Sequence, residues 1–124
     1  MKTVLLYNFS EERLAKVKAA VMLAKAGARV VGSDDFCRKL GFLIGAEGFD
    51  DSIDEQAGGF DEEMLVMSGF DSRDIDRLIK ALRTTGVGRV ALKAVVTPTN
   101  IGWNSVQLYR AVRADHDEMN RKRS

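Results

Sequence analysis

The sequence predicts a single layered α/β domain in which about four mostly parallel strands alternate with helices, as in a Rossmann-like sandwich. Short apolar runs alternate with segments whose apolar residues recur at helical spacing. About 30 residues separate the second and third predicted strands, which suits a crossover better than a hairpin. The 124-residue chain is 45% hydrophobic and 30% charged, as is usual for one globular domain. A ferredoxin-like α/β plait is the alternative, because the pattern does not fix strand directions.

The first half of the chain contains two predicted strands and two predicted helices. Residues 4–7 form an apolar run, and Ser10 precedes two acids, as at a helix N-cap. Gly27 is expected to end this first helix, and residues 28–31 to form the second strand. A weaker helical pattern follows over residues 35–43.

Residues 45–63 are acidic and rich in glycine, which predicts a loop or a short helix beneath a loop. They contain eight acids and no Lys or Arg. Carboxylate oxygens such as those of Asp50, Asp51, Asp54 and Glu55 are ligands that Mg²⁺ accepts. Acidic clusters in glycine-rich loops are usually solvated surface, so we predict no metal site.

The second half repeats the alternation of strands and helices. Residues 64–67 are the third predicted strand, and Asp71 is a candidate N-cap for a strongly amphipathic helix that Gly86 can end. Residues 89–96 are the longest strand candidate, and a final helix is predicted over residues 103–119.

A weak internal repeat relates the two halves at a spacing of 61 residues. It superposes capping positions and the apolar positions of the following helices: Phe9 on Phe70, Ser10 on Asp71, Leu14 on Ile75, Val17 on Leu78, Ala20 on Ala81 and Val21 on Leu82. Either a strand–helix–strand unit is duplicated, or two unrelated units share capping and periodicity.

Charge and cysteine content exclude several classes of function. With 19 Lys+Arg against 18 Asp+Glu, the formal net charge of +1 creates no general field for nucleic acid or an anionic membrane. No predicted strand carries stacking aromatics in a basic frame, as an RNA-binding sheet would. One cysteine excludes an internal disulfide, and no apolar stretch is long enough for a signal peptide or membrane helix. We expect a cytoplasmic domain over residues 1–120 with a basic tail, 121–124, and neither a nucleic-acid nor a membrane partner.

The most distinctive segment follows the last predicted strand. Lys93 interrupts an apolar run, and the only proline and several short polar residues then lead into the final helix. Backbone N–H groups at a helix N-terminus favour an anion, and a lysine adds charge. The predicted ligand-binding residues are Lys93, Thr97, Thr99, Asn100, Trp103 and Asn104. The same residues also fit a purely structural role, with Asn104 or Thr99 as the helix cap and Trp103 in the core.

Three further residues are candidate catalytic groups or metal ligands. His116 extends the apolar stripe of the final helix, and Asp115 precedes it. Adjacent helix positions point about 100° apart, so these two would not readily share a ligand. Cys37 lies at helical spacing among apolar residues, which is typical of a core position. The sequence therefore predicts no catalytic residue and no metal ligand, and it indicates no particular cofactor.

The segment LKAVVTPTNIGW, preceded by a strand, a Gly-Phe-Asp turn and an amphipathic helix, resembles a small bacterial family that is catalogued as a domain of unknown function. That family has a Lys-Ala-Val-x-Thr-Pro-Thr-Asn-x-x-Trp core, matched here from Lys93 to Trp103, and then an acidic residue and a histidine, matched by Asp115 and His116. Asp115 stands where the family has glutamate, which argues against a fixed catalytic role. Two other segments look similar to the family's pattern, MLVMSGFDSRDIDRLIKAL and RKLGFLIG. The resemblance implies a recurring unit without a known activity.

The function predicted from the sequence is a non-catalytic binding or regulatory module with a small-anion site before the final helix. Its expected partner is a small anionic metabolite. One alternative is a self-associating interaction protein, for example a homodimer. The other is an enzyme that uses Lys93 or His116 as acid or base.

Overall fold

The computed structural model describes residues 2–53 and 58–123. The elements are β1 (Thr3–Tyr7), α1 (Glu11–Leu23), β2 (Gly27–Val31), a 3₁₀ turn (Ser33–Asp35), α2 (Leu40–Leu43), β3 (Met64–Ser68), α3 (Ser72–Thr84), β4 (Leu92–Val95) and α4 (Ser105–Arg123). Two acids of the predicted acidic run, Asp54 and Glu55, lie outside the described residues.

The strands form a four-stranded mixed sheet in the order β2-β1-β3-β4. The pairs β1–β2 and β3–β4 are parallel, and the central pair β1–β3 is antiparallel. The predicted layered α/β fold with mostly parallel strands is therefore confirmed. The chain does not form the alternative plait, because the two strands of each strand–helix–strand unit are direct neighbours.

The two central strands are buried on both faces, which explains their continuous apolar sequence. Val4 and Leu6 of β1 pack with α1 and α3, whereas Leu5 and Tyr7 pack with the layer that contains α2 and α4. β3 alternates in the same way. The result is a three-layer arrangement with one apolar core on each side of the sheet.

The internal repeat is visible in the structure. Both the β1–β3 and the α1–α3 element bounds are separated by 61 residues at each end. In the antiparallel central pair, Leu5 lies opposite Val66, which is its own equivalent in the second unit. Lys39 and Asn104, which directly precede α2 and α4, also bridge to each other. An approximate two-fold axis thus relates the two units, as expected of a duplication.

Backbone conformation follows the same symmetry. Asn8 (φ +64°) and Gly69 (φ +78°) are equivalent, as are Lys25 (φ +61°) and Gly86 (φ +87°). All four residues adopt the left-handed region, which glycine enters freely and other residues enter at a cost. The first unit therefore keeps the turns of the second without its glycines.

Two ion pairs join the units across the axis, and their charges are reversed. Lys2 Nζ lies 2.7 Å from the carboxylate of Asp74, and Arg13 Nε lies 2.6 Å from that of Glu63. Lys2 and Glu63 are equivalent positions, and so are Arg13 and Asp74. The same contact is thus made twice with opposite polarity.

The units differ in the length of one connection and in the length of their second helix. Three residues link α1 to β2, whereas seven link α3 to β4. The parallel pairings place Gly27 beside Thr3 and Leu92 beside Met64, so the additional four residues lie before β4. The second difference is helix length, because α2 has 4 residues and α4 has 19.

Local signals predicted the starts of α1 and α3 correctly. The hydroxyl of Ser10 accepts a hydrogen bond from the Arg13 N–H. Asp71 and Asp74 form a reciprocal capping box at the start of α3.

Several predicted boundaries were wrong. Gly27 begins β2 instead of ending α1, because the left-handed Lys25 already turns the chain. The helical pattern over residues 35–43 resolves into a 3₁₀ turn and the short α2. The last strand begins at Leu92, and the residues before it form a turn with Gly86 and Gly88 at positive φ.

Candidate functional site

The turn after β4 is organised by the side chain of Asn100, which is 8% exposed. Its Oδ1 accepts a hydrogen bond from the Thr97 N–H at 2.8 Å, and its Nδ2 donates to the Val95 carbonyl at 3.0 Å. The Asn100 N–H donates in return to Thr97 Oγ1 at 3.2 Å. The side-chain amide of Asn100 therefore holds the turn that joins the sheet to α4.

Asn104 caps α4 in a similar reciprocal way. Its Oδ1 accepts from the Gln107 N–H at 2.8 Å, and Gln107 Oε1 accepts from the Asn104 N–H at 2.9 Å. The Ser105 N–H donates to the carbonyl of Phe36 at 2.9 Å. Most donors that an anion would need at this helix N-terminus thus already have acceptors within the protein.

A buried hydrogen bond fastens the start of α4 to the sheet. Tyr7 Oη and Ser105 Oγ lie 2.6 Å apart, and both residues are fully buried. Burial raises the pKa of the Tyr7 hydroxyl well above its usual range, so the phenol is neutral. Sequence reasoning missed this contact, because the two residues lie in separate elements and neither belongs to a motif.

Lys93 lies on the edge strand β4 and turns toward α3. Val95, which lies on the same face of the strand as Lys93, packs with the α1–α3 core, whereas Ala94 packs on the α4 side. The Lys93 ammonium donates to the carbonyl of Val90. Partial burial lowers the pKa of Lys93, and the charge of Arg89 lowers it further.

A groove of about 410 Å³ lies between the edge of β4 and α4, and we call it the α4 groove. Its apolar walls come from both elements and the turn between them: Ala91, Ala94, Trp103, Leu108, Ala111, Val112 and Met119. Lys93, Asn100, Asp115 and His116 are its polar lining residues. The groove thus unites three predicted ligand-binding residues, Lys93, Asn100 and Trp103, whereas Thr97, Thr99 and Asn104 do not line it.

The far end of the α4 groove carries the acid and the histidine noted in the sequence. Asp115 is exposed, His116 is half-buried, and Asn120 Nδ2 lies 3.2 Å from His116 Nε2. Their side chains leave the helix about 100° apart, and both still border the groove. Among residues 2–53 and 58–123, no ion pair engages Asp115.

A ring stack and a carboxylate anchor the other side of α4. Phe60 and Tyr109 stack with their ring centroids 4.2 Å apart. The Tyr109 hydroxyl donates to the carboxylate of Glu62 at 2.6 Å, and this bond raises the pKa of Tyr109. Arg113 pairs with the same carboxylate at 2.9 Å. The groove wall formed by α4 is therefore anchored to the segment before β3.

At the opposite edge of the sheet, an exposed apolar surface follows the end of α1 and β2. We call it the β2 patch, and it consists of Met22, Leu23 and Val30, whose exposed fractions are 76%, 56% and 47%. β2 is an edge strand, and in the part of the chain that the structure describes no strand pairs with its outer side.

Comparison with protein-family models supports the resemblance noted in the sequence. Residues 63–119 match the model of a domain of unknown function, DUF3783. The matched range covers β3, α3, β4 and most of α4, which is the second unit with its α4 groove. Neither the curated proteins nor the solved structures include a match to this chain.

Two further findings concern membranes and metals. In the part of the chain that the structure describes, no helix is both long and apolar enough to cross a bilayer. In the same residues, no group of three or more His, Cys, Asp or Glu side chains is arranged to hold a metal ion.

Proposed function

We propose that the protein is a non-catalytic binding module whose ligand, a small organic molecule, occupies the α4 groove. The observation that carries the proposal is the groove itself, in which an apolar trough next to Trp103 ends at Asp115 and His116. Its volume of about 410 Å³ falls within the range of small-molecule sites.

The lining suggests the chemistry of the ligand. From Leu108 to Met119 the helix rises about 16 Å, which is room for an elongated apolar body along Val112. Asp115 is exposed and acidic, so it favours a ligand group that donates hydrogen bonds, such as an ammonium or a hydroxyl. His116 can accept or donate there, according to its tautomer.

This proposal differs from the site predicted before the final helix. The side chains of Asn100 and Asn104 are engaged in capping, and the Lys93 ammonium turns toward α3. An enzyme would need an acid or base within hydrogen-bond reach of the reacting proton. The Lys93 ammonium is bonded to the Val90 carbonyl, so a catalytic alternative in this groove would rest on His116 as its acid or base.

The chain's single tryptophan makes the proposal directly testable. A library of small amines and alcohols with aromatic or aliphatic bodies is screened by Trp103 fluorescence. We expect a saturable change for at least one member of the library. Ala111→Phe fills the groove and should abolish that change.

Ala114→Phe is the matched control, because Ala114 is exposed on the same helix and does not line the groove. It should bind as the wild type does. Silence across the library, or equal loss of binding in both variants, would contradict the proposal.

Self-association is the second candidate function, and the β2 patch is the observation that favours it. An open edge strand flanked by exposed apolar side chains is a surface on which another copy can pair. Light scattering over a concentration series should then show a dimer, and Val30→Lys should convert it to a monomer. A wild-type protein that stays monomeric at all concentrations would exclude this candidate.

A further inference from the structure

A second groove lies on the other side of β4, against α3, and we call it the α3 groove. Its volume is about 300 Å³. Three cationic side chains line it, Arg83 from α3, Arg89 from the connection and Lys93 from β4. Leu82 and Val90, each 2% exposed, are among its apolar lining residues.

Among residues 2–53 and 58–123, no carboxylate neutralises the positive charge in this groove. No carboxylate lines it, and within the described residues none of its three cations belongs to an ion pair. Other cations of the chain do have carboxylate partners, namely Lys2, Arg13, Lys16, Arg38, Arg113 and Lys122.

The connection that carries Arg89 has a defined backbone. Val87 and Val90 are buried on either side of it, with exposed fractions of 6% and 2%. The N–H groups of Val87 and Gly88 both donate to the carbonyl of Leu82, at 2.9 and 3.1 Å. Arg89 is therefore presented from a fixed turn, which lowers the entropy lost when it binds a ligand.

Lys93 brings its charge close to that of Arg89. Both side chains line the same groove, and the charge of Arg89 is the second cause, after burial, of the lowered pKa of Lys93, so the two cations repel each other. The Lys93 ammonium has three N–H donors and uses one on Val90, so two remain for a ligand. An anion between the two side chains would turn this repulsion into attraction.

The first unit lacks the equivalents of two of these cations. The position equivalent to Arg83 is Met22, and the position equivalent to Lys93 is Ala28. Arg89 lies in the connection that is four residues longer in the second unit. The three cations therefore belong to the second unit alone and are not part of the framework that both units share.

We propose that the α3 groove binds the phosphate group of a small phosphomonoester. Two guanidinium groups and an ammonium can bind the oxygens of a doubly charged phosphate, and arginine does so through paired N–H donors. The organic part of the molecule would contact Ile79 and Leu82. Lys93 lines both grooves, whereas Arg83 and Arg89 line the α3 groove and not the α4 groove, so a variant at either arginine tests this site alone.

Amide chemical shifts of labelled protein test the proposal, with sodium phosphate titrated against sodium chloride at constant ionic strength. We expect saturable shifts from Gly88 to Lys93 with phosphate and none with chloride. Arg89→Gln should weaken binding roughly tenfold, as expected for the loss of a charge-assisted hydrogen bond. Arg83→Gln provides a second variant if Arg89→Gln alters the turn.

Arg77→Gln is the matched control, because it removes the same charge from an exposed position of α3 outside the groove. It should leave the affinity within about twofold of the wild type, since only a screened, distant charge is lost. Shifts that do not saturate, or an equal weakening by Arg77→Gln, would mean general ion screening and would overturn the proposal. Phenyl phosphate is the final arm. If phenyl phosphate binds more tightly than inorganic phosphate, the ligand is a phosphomonoester as proposed. If phenyl phosphate binds more weakly, the proposed contact with the organic part of the ligand is wrong.

Discussion

The two units of this protein share a framework and differ in what surrounds it. β1 and β3 have equal lengths, as do α1 and α3, and these elements recur with their caps and left-handed turns at a spacing of 61 residues. The units meet across an approximate two-fold axis. Around this framework the first unit has a three-residue connection and a four-residue second helix. The second unit has a seven-residue connection and a 19-residue helix. Both grooves lie beside the longer elements, and the exposed apolar β2 patch lies beside the shorter ones.

This difference shows that one repeated framework carries different surfaces in its two halves. Positions inside the core stay apolar in both units, as with Val17 and Leu78. Surface positions diverge, as with Met22 and Arg83. The buried positions keep their apolar character in both units, whereas exposed helix positions carry different residues.

The largest expected effect concerns the shared core. Leu78→Ala should lower the free energy of unfolding by about 2–5 kcal/mol, because it opens a cavity where the side chain is almost fully buried. Urea denaturation measures the change, with the exposed Lys80→Ala of the same helix as control. A loss below about 1 kcal/mol would mean that the second unit's core is not packed as described.

The two helix caps should differ in strength. Asp71→Ala removes a reciprocal capping box and should cost about 1–2 kcal/mol. Ser10→Ala removes one long bond, 3.4 Å from Arg13 N to Ser10 Oγ, and should cost about 0.5 kcal/mol. Thermal unfolding of both variants tests this order, and equal costs would show that the caps are equivalent.

Lys25→Gly should make the first unit more like the second. Its left-handed conformation is unfavourable for lysine, whereas glycine occupies the equivalent position 86. We expect a gain of about 0.5–1 kcal/mol in stability, offset in part by the greater freedom of glycine in the unfolded chain. Gly86→Ala should show the opposite sign, and a destabilising Lys25→Gly would contradict the argument.

The smallest effect should appear in the pH dependence of stability. The hydrogen bond from Lys2 and the backbone N–H of Asp71 lower the pKa of Asp74 in the folded state. Its contribution to stability is therefore present above the pKa of the unfolded carboxyl, about 3.9, and is lost as the pH falls through the folded value. Melting temperatures between neutral and acidic pH should fall less steeply in Lys2→Gln than in the wild type. Lys18→Gln, at an exposed position, should keep the wild-type slope.

Local rules predicted much of the framework. The apolar runs and the caps Ser10 and Asp71 depend on neighbouring residues, and the structure confirms them. The connection before β4 was not predicted, because the apolar Val90 resembles a strand residue. In the structure Val90 is buried but belongs to the turn before β4, and the Lys93 ammonium bonds to its carbonyl.

The grooves depend on contacts that no local pattern reports. The α4 groove exists because α4 is fastened to β1 by Tyr7 and Ser105, which are 98 residues apart. The resemblance to a recurring family unit included Lys93, Trp103, Asp115 and His116 among its matched positions. It did not indicate that all four line one groove, or that the Lys93 ammonium bonds to the Val90 carbonyl.

The reversed polarity of the two ion pairs also determines which units can pair with each other. If the first units of two copies met through β1, Lys2 of one copy would face Arg13 of the other, and both are cations. If two second units met through β3, Glu63 would face Asp74, and both are anions. Only a first unit beside a second unit places opposite charges together. The charges of these two contacts are therefore complementary only between unlike halves, and two like halves would bring like charges together.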